Sequence, residues 1–437
     1  MSSGKGKGVP HDIIDKAKEI LKRYALCDTC LGRLFATYGL GISNAERGRA
    51  LKTVISMNIH SRILSGDRKA LEDLEILARN GGGPFLELAR RYVGEVTVKR
   101  CFICGNKLQD LIGKLTVQAI KQLGSVEGRT FLVGVKKGSK YEEVENSVAL
   151  THSLTSWESI RREIKREVGK RIQSFTGMKP SFRNPDILIL IDLNEEQATA
   201  EPLPLHILGS YLKLGRYITQ MKWIGKEGRN YTFSVEESVR KIVKPIEGED
   251  VVFHASGRED ADARMLGGGR PLVVEVKKPR KRSVDLRKLS TAGSSPPWVV
   301  LKLTQYVPPE TVERVKSTPS RKVYRAITYS NQEVTEDDVE AIEEVFKDAE
   351  ITQRTPSRVL RRRKDIVRIR KVYGVKGALL TPHVVEFLIY CDGGLYVKEL
   401  VSGDGGRTKP SFSEVTGKSF QVIFLDVLKH EGVSAGA

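Results

Sequence analysis

The chain lacks any apolar run near the ~18 residues that a membrane-spanning helix needs, so no span is expected. Its first ten residues, MSSGKGKGVP, lack the apolar core of a secretory leader, and a cytoplasmic location is expected. Acid is in deficit: 54 Asp and Glu stand against 73 Lys and Arg, giving a net charge of +19 and a pI near 9.6. A thermophile surface would raise both signs together. This one-sided excess points instead to a polyanion, whose phosphates Lys and Arg neutralise. An anionic membrane is the weaker option, because no basic amphipathic helix with a strong apolar face stands out. No internal repeat is present. Cysteine is scarce and unevenly placed, with five in 437 residues. That length exceeds one small core and implies two or three domains.

Local patterns divide the chain further. Ile13, Ile14, Ala17, Ile20 and Leu21 share a helical face that leads into a first C-x-x-C, Cys27 and Cys30. Helical patterns follow over 44–58, 68–79 and 84–93, before a second C-x-x-C, Cys101 and Cys104. The segment 110–235 reads as mixed α/β. It contains a strand followed by a turn at 130–138 and an amphipathic helix carrying Ile160, Ile164, Val168 and Ile172. A continuous apolar strand at 185–193 reads as buried on both faces. "LPLHILGSYLKLGRYITQ" reads as the strand and basic loop that close this unit, with the main domain boundary near 217–232. Ser234 with Glu237, and Thr335 with Asp338, are helix-capping signals. "RKVYRAITYS" and "SFQVIFLDVL" read as strands, and "HVVEFLIYCDGGLYVKELVSG" as a hairpin. Helices alternating with strands on short turns imply a mixed or antiparallel sheet rather than a doubly wound parallel one.

Three constellations carry chemistry. The two cysteine pairs, seventy residues apart, suit four-thiolate tetrahedral zinc; buried thiols or a redox dithiol are the alternatives. A set of four thiolates leaves no open coordination position, so the role expected is structural. Cys391 lies in an apolar run and reads as core. The basic runs 277–282 and 353–376 suit phosphate contacts; the second holds ten Lys or Arg and one acid. Their bland reading is a solvated face. The third constellation is "HASGREDADARMLGGGRP", which places Asp260 and Asp262 among arginines in a glycine-rich turn. Arg258 could hold Asp260 ionised, and an ionised Asp can act as a nucleophile. Glu259 and Asp262 could equally be ion-pair partners of Arg264 or Arg270. The string Asp260 or Asp262 with Glu275-Val276-Lys277 also fits a weak Mg²⁺-nuclease pattern.

"SGREDADARMLGGGRP" closely resembles the signature of the archaeal and eukaryotic tRNA pseudouridine synthases that act on uridines 54 and 55 of the T-arm. The resemblance runs in order through the cysteine pairs, "PDILILID", "SVEE", "KVYRAI", "QRTPSRVLRRR", "GLYVKELVSGDGGRTKPS" and "FLDVLKH". It implies a zinc-bound helical segment over 1–110 and an overlapping THUMP-like RNA-binding module over 84–216. It also implies a pseudouridine synthase catalytic domain over 217–437, with a mixed, mostly antiparallel sheet. The fold class expected is therefore α/β and α+β. By the same resemblance Asp260 is the catalytic aspartate and Tyr324 stacks on the base. Tyr396 and Leu425 line the pocket, Arg258 is a substrate-side residue, and Lys398 is the basic partner of the aspartate. Relatives often carry Thr at Leu395 and Arg at Lys398; the lysine keeps charge but loses bidentate pairing. The expected enzyme is a monomeric isomerase of tRNA without a catalytic cofactor. A tRNA-binding protein without catalysis is the other alternative.

Overall fold

The computed structural model describes residues 13–155, 157–225, 228–361 and 363–431. The chain divides into two compact units, one reaching to Glu201 and the other starting at Pro202.

The first unit begins with helices Ile13–Arg23, Asp28–Leu34, Asn44–Leu64, Lys69–Gly81 and Pro84–Tyr92. Each is cut where its sequence permits. Ser43 and Glu46, for example, close a reciprocal capping box at the start of Asn44–Leu64. After the second cysteine pair comes helix Leu108–Leu123, then β1 (Thr130–Val135), helices Lys140–Thr151 and Ile160–Thr176, β2 (Lys179–Pro180), β3 (Ile187–Asp192) and β4 (Gln197–Pro202). The sheet order is β2-β1-β3-β4, with β1 parallel to both β2 and β3. Ile160, Ile164, Val168 and Ile172 all lose their whole surface, as the four-residue step requires. The strand expected to be buried on both faces is not. Ile187, Ile189 and Ile191 are enclosed, while Leu188 and Leu190 on the opposite face are half-buried.

The second unit is built on one ten-stranded sheet. Its strands are β5 (Leu205–Lys213), β8 (Asp250–Ala255), β9 (Arg264–Lys277), β10 (Val299–Val307), β11 (Arg321–Ser330), β12 (Ala349–Arg354), β13 (Val367–Thr381), β14 (Val384–Asp392), β15 (Thr408–Lys409) and β16 (Phe420–Glu431). A two-residue pair, β6 (Ile224–Gly225) with β7 (Gly228–Arg229), lies outside it. The order is β10-β5-β9-β16-β11-β14-β13-β12-β15, with β8 also on β9. Pairing is antiparallel except at one seam, where Arg264 and Met265 of β9 lie parallel to Asp426 and Val427 of β16.

Three expectations change here. The strand Leu205–Lys213 does not close the central module drawn to 216; it sits between β9 and β10 in the second unit. Pro202 and Pro204 interrupt the chain just before it, so β4 cannot run on into β5. The glycines 267–269 do not form a turn but a bulge inside β9. Gly267 has φ of 58° and a Cβ there would meet the Leu428 carbonyl oxygen at 2.0 Å. Gly269, at φ of 81°, faces the Tyr211 carbonyl oxygen at 2.7 Å in the same way. These glycines let three strands close on one another. Finally, "LYVKELVSG" is not the second arm of a hairpin. β13 and β14 form the hairpin, and Val397–Ser402 is a short helix ended by left-handed Gly403.

Candidate active site and cysteine cluster

The β9–β16 seam leaves a cleft of about 1110 Å³ beside the loop 256–263 that joins β8 to β9. Asp260, Tyr324, Tyr396, Arg258, Lys398 and Leu425 all line it. The six residues come from the loop, β11, the start of helix Val397–Ser402 and β16, so only the folded sheet brings them together.

A buried ionic floor holds the loop. Glu259 is enclosed and accepts hydrogen bonds from Tyr211 Oη at 2.9 Å and Arg270 Nε at 2.8 Å. Burial pushes its carboxyl up, but Arg270 and Lys213 outweigh that and hold it below the usual range. Lys213 has no exposed surface. Its ammonium donates to the carbonyl oxygens of Ile218 at 2.8 Å, Asp260 at 2.9 Å and Ala261 at 3.2 Å. The backbone of Asp260 is thereby pinned from beneath. From the side, Arg216 donates to the Asp262 and Leu425 carbonyls at 2.8 and 2.9 Å, tying the loop to β16.

Above this floor the Asp260 carboxylate is half-buried and ion-paired to Arg358 at 3.0 Å. Arg358 also donates to Glu399 at 2.6 Å. Burial alone would lower the Arg358 guanidinium, but Glu399 and Asp260 more than compensate and keep it cationic. Lys398 lies 3.8 Å from Asp260 and 2.6 Å from Asp262. Burial raises the Asp262 carboxyl and the Lys398 contact overrides it, so Asp262 titrates below its usual range. The guanidinium expected from Arg258 thus comes from Arg358. Arg258 is exposed in the cleft and makes no ion pair among the described residues, although it is only two residues from Asp260. Lys398 is primarily the partner of Asp262 and secondarily of Asp260.

The cleft walls are aromatic and cationic. Tyr324 is 8% exposed, and burial pushes its phenol well up, with Asp260 among the lesser contributors. Tyr396 is fixed by Gln353, which bonds both its backbone N–H and its carbonyl, and its phenol meets Arg363 at 2.8 Å. Arg358, Arg363, Arg368 and Arg370, all from the run 353–376, line the cleft. The run 277–282 does not; Lys278 and Lys281 are paired with Glu249 and Glu247. Arg264 pairs with Asp426, not with Asp262. Glu275 accepts from His254 at 2.8 Å and is no part of the cleft, so the acids of the nuclease pattern do not converge. Sequence reasoning missed Arg358 as an individual residue, and missed Lys213 altogether. The one signal for Lys213 was a lysine inside an otherwise apolar strand.

In the first unit Cys27 caps helix Asp28–Leu34, Cys30 lies in its first turn, and Cys101 and Cys104 form a turn before Leu108–Leu123. All four Sγ atoms lie within 4.8 Å of one another. Tetrahedral zinc, with bonds of about 2.3 Å, needs sulfurs about 3.8 Å apart, so the set fits. Arg33, fully buried, donates to Cys30 Sγ at 3.6 Å, a neighbour suited to a thiolate. Cys391 is enclosed in the second unit's core.

The arrangement is a carboxylate held by a guanidinium in a cationic cleft with a buried tyrosine, fit to attack an electrophilic carbon of an anionic substrate. Residues 206–431 match the family described as Pus10, C-terminal, and 115–192 match the Pus10 THUMP domain, archaeal. A tRNA pseudouridine synthase Pus10 of Ignisphaera aggregans is 43% identical over 95% of this chain and 98% of its own. Those of Aeropyrum pernix and Pyrococcus furiosus are 39% and 36% identical, over 97% and 95% of this chain and 99% and 97% of theirs. The chain belongs to the Pus10 family of tRNA pseudouridine synthases. It is accordingly an enzyme, an isomerase.

Proposed function

We propose that this enzyme converts uridines 54 and 55 of the tRNA T-loop to pseudouridine, with Asp260 as nucleophile. The observation that carries this reading is the Asp260–Arg358 ion pair in a cleft of about 1110 Å³. A uridine flips out of the T-loop into the cleft, at a cost that irregular loop stacking reduces. Asp260 attacks it, at C1′ of the ribose or at C6 of the base. The base detaches, turns and rejoins through C5. Tyr324 stacks on it, and in the last step its phenol relays the C5 proton to water. Tyr396 and Leu425 bound the pocket, and Lys398 with Asp262 props the loop. The cations of 353–376 neutralise T-arm phosphates. No catalytic cofactor takes part. The four cysteines hold a structural zinc, and the helical segment and THUMP-like module grip the acceptor side of the tRNA. The enzyme works as a cytoplasmic monomer.

The test is carbodiimide-stop primer extension on an unmodified tRNA transcript, without added divalent cation, using wild type and Asp260→Asn. New stops at 54 and 55 from wild type alone are expected. Intact RNA without stops from either protein, despite tight binding, would leave a tRNA binder. Chain cleavage on adding Mg²⁺ would mark a nuclease.

A further inference from the structure

Lys322 is a buried cation of the cleft that has no anion among the described residues. Lys322 stands on β11 two residues before Tyr324, so both side chains leave the same face of the sheet. It is 6% exposed, yet its ammonium makes no ion pair or hydrogen bond among the described residues. It lines the same cleft as Asp260 and lies 4.0 Å from where a Cβ of Gly257 would stand, at the start of the Asp260 loop. Its neighbours cannot neutralise it. Across β14 sits Cys391, whose thiol burial pushes up to about 12. Across β16 sits His430, whose imidazole burial and the Lys322 and Arg270 charges push down to about 3. On β9 is Arg270, a like charge. The carboxylate that acts on it, Glu259, is already engaged by Arg270, Tyr211 and Lys213. An ammonium this enclosed, facing a cleft and without a partner there, gains most from a ligand that completes it.

We propose that Lys322 donates a hydrogen bond to a carbonyl oxygen of the target uracil, O4 in particular, as that oxygen takes on negative charge during isomerisation. This rests on the pseudouridine synthase reading of the cleft. The assignment holds for either route of attack. If Asp260 bonds to C1′, the N1–C1′ pair stays on the departing base and spreads over O2 and O4. If Asp260 adds to C6, the C5=C6 pair moves to an enolate at O4. In both, the proton stays on Lys322 and the charge on the oxygen is withdrawn when C5 bonds to C1′ and Asp260 is released. A donor aimed at developing charge in a closed site lowers the barrier more than it strengthens substrate binding.

Burial, with Arg270 adding to it, pushes the Lys322 ammonium down to about 8 in the free enzyme. The active cation is therefore present below about pH 8 and lost above it. The experiment measures single-turnover rate, tRNA affinity and the pH profile of kcat/KM for wild type, Lys322→Met and Lys322→Arg. Lys322→Met should lose about 100-fold in single-turnover rate with its Kd for unmodified tRNA changed by no more than about twofold. Lys322→Arg should recover to within about tenfold and lose the alkaline limb centred near pH 8, because a guanidinium stays charged. A Lys322→Met enzyme of wild-type rate would overturn the proposal. So would a loss that saturating tRNA restores, which marks a contact to backbone phosphate. If Lys322→Met fails to fold, the wild-type and Lys322→Arg profiles decide: coincident profiles up to about pH 9 overturn the assignment. A wild type that forms no pseudouridine fails the underlying reading instead.

Discussion

At the residue scale, the chemistry turns on which cation serves Asp260. A chain neighbour, Arg258, was the natural sequence candidate, and the structure supplies Arg358 from 98 positions away. Pairing through space cannot be read from spacing, which is why the run 353–376 was legible as basic while its one decisive arginine was not. Lys398 lies second to Arg358 in distance, 3.8 Å against 3.0 Å, and is engaged more closely by Asp262. Arg358→Ala should therefore lower kcat about 100-fold, and Lys398→Ala clearly less. Single-turnover rates on one tRNA transcript check the order. A larger loss from Lys398→Ala would make the lysine the partner that matters to Asp260. The buried Lys213 was hidden for a different reason: a lysine in a strand reads as an edge or surface residue, and only pairing on both sides of β5 encloses it.

At the element scale, periodicity carried much of the reading. The four-residue step of Ile160 to Ile172 and the alternation of 321–330 describe the helix and strand observed. Capping signals at Ser234 and Thr335 sit where helices start. One failure lies where glycine has two meanings. The triplet 267–269 reads locally as a turn, but φ above zero also serves a bulge, and strands β5 and β16 decide between the two. A sharp contrast follows. Gly267→Ala should cost more than about 2 kcal/mol, from a disfavoured φ and a clash with a backbone oxygen. Gly268→Ala, with nothing within 4 Å of a new Cβ, should stay within about 0.5 kcal/mol. Denaturant unfolding of both variants gives the comparison. Equal costs would mean that the bulge is not what demands glycine.

At the scale of the whole molecule, the charge excess pointed to a nucleic-acid partner, and the cysteine pairs to the cluster that the fold brings together. The division between units was less legible. Strand 205–213 is apolar like its upstream neighbours, and only sheet pairing assigns it to the second unit. The four thiols come together from segments on either side of helices 44–92, so zinc there would stabilise the first unit. Purified protein should carry one zinc ion per chain, measured by mass spectrometry of the metal. Cys101→Ser should lose that zinc and lower the melting temperature. Full zinc retention in that variant would remove the cysteines from the site.

The central claim is that Asp260 drives a uridine isomerisation. Its most direct test is tritium release from tRNA transcript labelled at C5 of uridine, with wild type and Asp260→Asn, without added divalent cation. Rejoining through C5 expels that hydrogen. The account predicts release matching the T-loop pseudouridine formed by wild type, and none from Asp260→Asn. Release by Asp260→Asn at the wild-type rate would contradict it.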